Sequence, residues 1–91
     1  MNAAQITPAV IKGRDILFQF AAARGITVKD LVGPSLAQRI AHARQDAMMM
    51  MRDRTSLSFP LIAELCGRKD HTTAMHGVVV ARSRSENAGQ E

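Results

Sequence analysis

Tryptophan and tyrosine are absent from the chain, and its only aromatic residues are Phe18, Phe20 and Phe59. This scarcity argues against a protein that binds single-stranded nucleic acid by stacking bases on aromatic side chains. It also predicts a core built from aliphatic side chains, alanine and methionine. Because Cys66 is the single cysteine, no internal disulfide can form, and a reducing cytoplasm is the expected compartment.

Long hydrophobic runs are missing as well. The first ten residues, MNAAQITPAV, lack the basic start and the apolar stretch of a signal peptide. No segment approaches the ~20 apolar residues that a membrane span requires. With 91 residues, the chain is too short for more than one ordinary domain.

Arrangements typical of enzymes and metal sites are also lacking. The eight acidic residues form no close pair suited to glycosidase or nuclease chemistry, and no Ser-His-Asp or Cys-His set has a meaningful spacing. His71 and His76 are five residues apart, which is the wrong helical spacing for a shared metal ion, although zinc with Cys66 is a weaker alternative. We expect no enzyme activity, no catalytic residue, no metal and no cofactor.

What the chain does have is positive charge and residues that typically begin and end helices. The net charge of +4 and the pI of about 10.2 suit a polyanionic partner, either nucleic acid or an anionic membrane surface. Capping residues, prolines and glycines predict an all-α fold, a compact helical domain of about five helices. We expect this domain over residues 8–82, with a flexible N-terminus over 1–7 and a flexible C-terminal tail over 83–91.

The expected helices follow from local signals. Their caps are Thr7, Thr27, Ser35, Ser58 and Asp70, the last acting through the amide of Thr73; Thr27 with Asp30 and Ser35 with Gln38 form capping boxes. Their ends lie near Gly25, Gly33, Thr55, Gly67 and Ser83. The third helix is expected to be the longest. The positions expected to face the core are Ile11, Leu17, Phe20, Ala21, Leu36, Ile40, Ala43, Ala47, Met50 or Met51, Ile62, Leu65, Met75, Val78 and Val79.

The methionine run Met48–Met51 points in nearly every direction around one helical turn. Core filling is the expected use of most of these side chains. A patch that docks a partner protein and copper binding are the alternatives.

The stretch GRKDHTTAMHG, residues 67–77, joins the last two helices by a short glycine turn, as in a helix-turn-helix. Its second helix would offer Asp70, His71, Thr72 and Thr73 to the DNA major groove, where carboxylate, imidazole, hydroxyl and methyl groups can meet base edges. Arg68 and Lys69 can hold phosphates. Helical hairpins with glycine turns also occur in proteins that never touch DNA.

The residues of this stretch resemble the signature of one family, the C-terminal DNA-binding domain of the replication initiator DnaA. AHARQDAM, SFPLIAELCG and GITVKDLVG resemble three further segments of that domain, in order and almost without gaps over residues 10–82. The resemblance implies an all-helical domain with an inserted helix-turn-helix. It also implies DNA contacts at Arg44 and Gln45, at Phe59 and Pro60, which would lie close to a thymine methyl, and at residues 70–73.

The chain departs from the family pattern in three places. The family's arginine-rich loop before the long helix is GPSLAQR here, with only Arg39, so minor-groove reading is in question. Lys69 stands where the family has arginine directly before aspartate, and His42 replaces an arginine of Arg-x-Arg-Gln; different base preferences are therefore expected. The 91 residues contain no Gly-x-x-x-x-Gly-Lys-Ser/Thr nucleotide loop. A free-standing DNA reader is expected, like small regulators of phages, prophages and gene transfer agents.

We therefore predict a cytoplasmic, nucleoid-associated protein that binds double-stranded DNA with a sequence preference. The predicted base-contacting residues are Arg44, Phe59, Pro60, Asp70, His71, Thr72 and Thr73. The predicted DNA-backbone contacts are Arg39, Gln45, Arg52, Arg68, Lys69 and His76. The expected role is transcriptional control, with RNA polymerase or another DNA-bound regulator as a further partner and no membrane or nucleotide. The alternatives are an accessory or competitor of the initiator at replication origins, and a protein-interaction module that uses its methionine-rich helix.

Overall fold

A computed structural model describes residues 6–89, and these form five helices. The helices are α1 (Pro8–Arg24), α2 (Val28–Val32), α3 (Gln38–Arg54), α4 (Phe59–Leu65) and α5 (His71–Gly89). No strand occurs among the described residues, so the predicted all-α class is confirmed. Within the same range, no helix is both long enough and apolar enough to cross a membrane. Residues 1–5 of the N-terminus that was expected to be flexible lie outside the described part.

Local capping explains the limits of α1 and α2 as the sequence predicts. The side chain of Thr7 accepts from the Val10 amide at 3.3 Å, and Pro8 occupies the first helical position. Gly25 ends α1 in the left-handed conformation, with φ of 66°. In α2 the Thr27 hydroxyl accepts from the Asp30 amide at 3.0 Å, and the Asp30 carboxylate accepts from the Thr27 amide at 3.5 Å. The predicted capping box is confirmed.

The predicted start of α3 is wrong. The helix begins at Gln38 rather than at Ser35, and its N-cap Ala37 forms no side-chain hydrogen bond. Ser35 accepts from the Ala37 amide instead, at 3.3 Å, and Leu36 is 82% exposed rather than in the core. The segment before Gln38 is not helical, and Arg44 of α3 binds the carbonyl groups of Gly33 and Ser35 in it. The predicted end at Thr55 is confirmed.

The last helix is longer than predicted. It continues to Gly89 rather than fraying from Ser83, and its 19 residues make it longer than the 17-residue α3. The extension is held because Arg82 pairs with Asp53 and Arg84 bonds to side chains of α3. Residues 90–91 of the expected tail lie outside the described part.

The buried face of α5 also differs from the prediction. Val78 is buried, but Met75 is 43% exposed and Val79 is 65% exposed. Small residues are buried in their place, namely Ala74, Gly77 and Ala81, and α5 packs mainly against α3. A Cβ atom at Gly77 would lie only 2.6 Å from the Met48 sulfur, so the two helices approach more closely than larger side chains would allow.

The core is aliphatic, alanine and methionine, as predicted. Ile11 of α1 is 51% exposed, contrary to expectation, because Val10, Gly13 and Leu17 face the other helices instead. A Cβ at Gly13 would come within 2.9 Å of Leu57 and Leu65, which explains a glycine in mid-helix. The fully buried large side chains are Leu31, Met48, Met51, Leu57, Ile62, Val10 and Cys66.

Candidate nucleic-acid interface

Helix α4, a tight turn and helix α5 form a helix-turn-helix. Ser58 caps α4 by accepting from the Leu61 amide at 3.4 Å. The turn depends on Gly67, whose φ is +73° and whose missing side chain leaves room for the carbonyl group of Val32. The Arg68 amide then donates to the Ala63 carbonyl at 2.8 Å, and the chain enters α5. The turn is thereby packed against the end of α2.

The first turn of α5 presents polar side chains to solvent. Asp70 caps the helix by accepting from the Thr72 amide at 2.9 Å, not from the Thr73 amide as predicted; Thr73 donates to the Asp70 backbone carbonyl at 3.1 Å. The Thr72 N–H holds the pKa of Asp70 below its ordinary value. His71, Thr72 and Thr73 are all exposed. A partner could therefore reach these side chains without any change in the helix.

Arg44 lies in a different environment from the one the sequence suggests. It is only 5% exposed, and its guanidinium donates to three backbone carbonyl groups: Leu31 at 2.7 Å, Gly33 at 3.2 Å and Ser35 at 3.0 Å. Burial lowers its pKa, and the nearby Arg68 adds to the effect. The Nε and Nη2 donors of Arg44 thus fix the end of α2 and the loop between α2 and α3, and the predicted base contact stays a prediction.

Arg68 reinforces the same loop. Its Nη2 also donates to the Gly33 carbonyl, while its Nε is buried and has no hydrogen-bond partner. Within residues 6–89, no carboxylate pairs with either Arg44 or Arg68. Arg44 and Arg68 thus share the Gly33 carbonyl oxygen and connect the loop before α3 to the turn before α5. Arg68 is therefore less free to reach a phosphate than predicted.

Five of the predicted contact residues line one groove between α3 and α5. These are Arg44, Gln45, Arg68, Thr73 and His76, with Leu36 on the rim. Gln45 is already engaged, because its Oε1 accepts from Arg84 at 2.7 Å. His76 and Thr73 are exposed. The groove therefore joins the first turns of α5 to the first half of α3.

A second group of predicted contact residues lies where α3 ends and α4 begins. The guanidinium carbon of Arg52 is 4.2 Å from the centroid of the Phe59 ring, and its Nη1 donates to the Leu57 carbonyl at 3.3 Å. Phe59 is half-buried beneath it, while Pro60 is exposed. Arg39 and Lys69 project into solvent from α3 and from the turn.

Ion pairs between helices were not foreseen from the sequence. Asp46 of α3 accepts from Arg24 of α1 at 2.8 Å and from Arg84 of α5 at 2.9 Å. Asp53 pairs with Arg82 at 2.5 Å. Partners 22 and 38 residues apart leave no local signal in a sequence. Three arginines are therefore neutralised away from the first turn of α5.

The described residues provide little for metal or thiol chemistry. Across residues 6–89, no three His, Cys, Asp or Glu side chains come together as a metal site. Burial raises the pKa of Cys66 to about 12, so its thiol is protonated at neutral pH. Met48 and Met51 are buried and fill the core, whereas Met49 and Met50 are half-buried.

Comparison with known proteins gives a consistent set of relatives. A family model described as the bacterial dnaA protein helix-turn-helix matches residues 14–80. The chromosomal replication initiator protein DnaA of Picosynechococcus sp. is 51% identical over 63 residues, which is 68% of this chain and 14% of that protein. The protein of the same name from Clavibacter sepedonicus is 48% identical over 67 residues, 74% of this chain and 14% of its own length.

A more distant relative is the chromosomal replication initiator protein DnaA of Neisseria meningitidis, which is 41% identical over 63 residues, 68% of this chain and 12% of that protein. The chain thus spans only 12–14% of the length of these relatives. No solved structure matches the chain.

Proposed function

The chain belongs to the bacterial DnaA helix-turn-helix family, and from this premise we propose that it binds double-stranded DNA with a sequence preference. The observation that carries the proposal is the exposed first turn of α5. This turn follows a rigid glycine turn and presents donors, acceptors and methyl groups on one accessible helix end. The net charge of +4 favours a polyanion as the partner.

We assign base contacts to the first turn of α5. The Asp70 carboxylate can accept from a cytosine amino group through the oxygen that does not cap the helix. His71 can donate or accept, and Thr72 and Thr73 offer a hydroxyl and a methyl group each. Phe59 and Pro60 would supply apolar contact to a thymine methyl group, although Phe59 is half-buried under Arg52.

The remaining residues would hold the DNA backbone or position the interface. Lys69, Arg39, Arg52 and His76 are exposed and can approach phosphates. Gln45 contributes through the groove it shares with His76. We assign Arg44 a positioning role, because its Nε and Nη2 donors are occupied by the carbonyl groups of Leu31, Gly33 and Ser35. Arg68 would act mainly in the same way.

The direct test is selection from a pool of random-sequence duplexes with the full chain, followed by binding measurements at several salt concentrations. An enriched motif and a steep fall of affinity with salt are expected, because phosphate contacts release counterions. No enrichment together with salt-independent binding would contradict the proposal. That result would favour the protein-interaction module, for which Met49 and Met50 offer only a half-buried surface.

For the cellular role we propose transcriptional control, in which a bound copy recruits or blocks RNA polymerase at a promoter. The second candidate is occupancy of replication-origin sites, as an accessory or competitor of the initiator. It is favoured by the relatives, which are named chromosomal replication initiator proteins. Mapping bound sites in cells distinguishes the two, since transcriptional control requires occupancy at promoters and the replication role requires occupancy at origins.

A further inference from the structure

Helix α1 carries an exposed apolar face away from the first turn of α5. Ile11 is 51% exposed and Phe18 is 63% exposed. They are seven residues apart, two helical turns, and so lie on the same side of the helix. Arg14 and Asp15 lie between them and are also exposed. The proposed DNA contacts use none of these four residues.

The face has both a projecting side chain and a depression. Beside Phe18 lies a groove lined by the apolar side chains of Leu17, Val28, Val32 and Leu65 and by the charged residues Arg14 and Glu64. Ile11 projects one turn before Arg14, on the same face. An apolar side chain the size of Ile11 could contact Phe18 and the apolar lining of this groove. Its apolar surface would then be removed from water, which is favourable.

The order of residues along the face is self-complementary. If two copies of α1 pack antiparallel about an axis between residues 14 and 15, Ile11 of each copy lies opposite Phe18 of the other. The same symmetry places Arg14 opposite Asp15, twice. A parallel arrangement would instead put Arg14 against Arg14. Within residues 6–89, neither Arg14 nor Asp15 forms an ion pair, so both charges are available to a partner.

We propose that α1 is a homodimer interface and that its occupant is a second copy of this chain, packed antiparallel. Apolar contact between Ile11 and Phe18 supplies the attraction, and the two Arg14–Asp15 pairs fix the direction. A contact through one helix is smaller than the ~1,200 Å² buried in a standard stable interface, so the dimer is weak in free solution. The interface is argued from α1 and the groove beside it and does not depend on DNA binding.

The DNA-binding proposal adds a consequence for paired sites. Two copies bound at adjacent half-sites are held at a high effective concentration, so even a weak contact promotes joint occupancy. Cooperative binding to duplexes with two half-sites is then expected for the wild-type chain and is lost in dimer-deficient variants. Binding to a single site stays unchanged in those variants, which separates failure of the dimer from failure of DNA binding.

The primary test is sedimentation of the full chain without DNA over a micromolar to millimolar concentration series. Wild type is expected to shift from monomer to dimer within this range. Phe18→Ser should remain monomeric, whereas Val79→Ser should associate like wild type, since Val79 is similarly exposed, at 65%, but lies on α5. Circular dichroism confirms that the exposed substitutions leave the fold intact. A monomeric wild type at millimolar concentration, or loss of the dimer in Val79→Ser, would overturn the proposal.

Charge reversal tests the antiparallel direction. Arg14→Glu and Asp15→Arg each create two like-charge contacts, and each should weaken self-association about tenfold. The double variant Arg14→Glu/Asp15→Arg restores opposite charges and should recover the wild-type dissociation constant. Because a parallel pairing offers no such recovery, a double variant as weak as the singles would rule out the antiparallel interface.

Discussion

At the residue scale, position 67 requires a positive φ and leaves no room for a side chain, a combination that only glycine satisfies. Its φ is +73°, and a Cβ there would overlap the Val32 carbonyl group. We expect Gly67→Ala to lower the free energy of unfolding by more than about 2 kcal/mol, because left-handed strain adds to a clash with rigid backbone. Gly25→Ala is the matched control, since Gly25 has a φ of +66° but open space around it. It should cost only about 1 kcal/mol.

Urea unfolding of the two glycine variants measures this difference. Equal losses would show that the close approach between the turn and α2 is not tight in solution. If Gly67→Ala is the more damaging, the geometry of the turn depends on the packing of α2 beneath it.

Arg44 is a second residue whose effect is decided by what it touches. Arg44→Lys keeps the charge but cannot reach the carbonyl groups of Leu31, Gly33 and Ser35 together. We expect a loss of about 2 kcal/mol in the free energy of unfolding without DNA present. Arg39→Lys, on the exposed side of the same helix, should change stability by less than about 0.5 kcal/mol.

Thermal denaturation compares the two arginine variants directly. A stable Arg44→Lys that nevertheless loses sequence selectivity would restore the base-contact interpretation of Arg44. A destabilised variant supports its role in positioning the loop.

His71 and Thr73 are the residues on which the proposed base readout depends most. Each alanine variant is expected to weaken binding to the selected duplex by about 1–3 kcal/mol, with little effect on random duplex. The reason is that both side chains are exposed at the helix end and contribute nothing to the core. Ser83→Ala, at an exposed position farther along α5, serves as the control. Fluorescence anisotropy measures the affinities, and equal losses on both duplexes would mean that these residues contact only phosphates.

At the scale of a single element, the Asp70 cap makes the stability of the start of α5 depend on pH. The Thr72 N–H lowers the pKa of Asp70 below its ordinary value of 3.8. A lowered pKa in the folded state means that the cap's contribution is fully present above the ordinary pKa and is lost as pH falls through the lowered one. Asp70→Asn keeps an oxygen acceptor but does not titrate.

The measurement is thermal melting of wild type and Asp70→Asn between pH 2 and pH 6, with the difference in melting temperature plotted against pH. We expect this difference to be constant above the ordinary pKa of Asp70. At lower pH the melting temperature of wild type should fall relative to that of Asp70→Asn. Subtraction removes the other carboxylates, which titrate in both chains. A difference independent of pH would show that the Thr72 amide does not hold the carboxylate in solution.

At the scale of the whole molecule, Asp46 connects three helices. From α3 it binds Arg24 of α1 and Arg84 of α5. Asp53 is more exposed, and within residues 6–89 its only ion pair is with Arg82. Asp46→Asn should therefore lower the free energy of unfolding by about 1–2 kcal/mol, and Asp53→Asn by less than about 0.5 kcal/mol, because a partly buried network is worth more than an exposed pair. Chemical unfolding at low and high salt tests the ranking, which would be contradicted if the two losses were equal.

Packing across the molecule also explains which features of the candidate interface could be predicted from the sequence and which could not. The exposure of His71, Thr72 and Thr73 agrees with the sequence prediction, because polar residues at a helix start favour solvent. Whether they contact DNA stays a prediction. The burial of Arg44 could not be predicted, because its three acceptors lie 9–13 residues earlier, at the end of α2 and in a loop whose path the sequence does not specify.

The amino-acid sequence by itself determined the helical class and most helix ends. Thr7, Gly25, Thr27, Ser58 and Gly67 act through hydrogen bonds and backbone angles within a few residues, so their signals are local and readable. Only the tertiary structure decided which face of α5 is buried, where α3 begins and which arginines remain free. These outcomes depend on carbonyl and carboxylate groups that packing brings together. Because these groups are far from their partners along the chain, no local sequence pattern indicates the contacts.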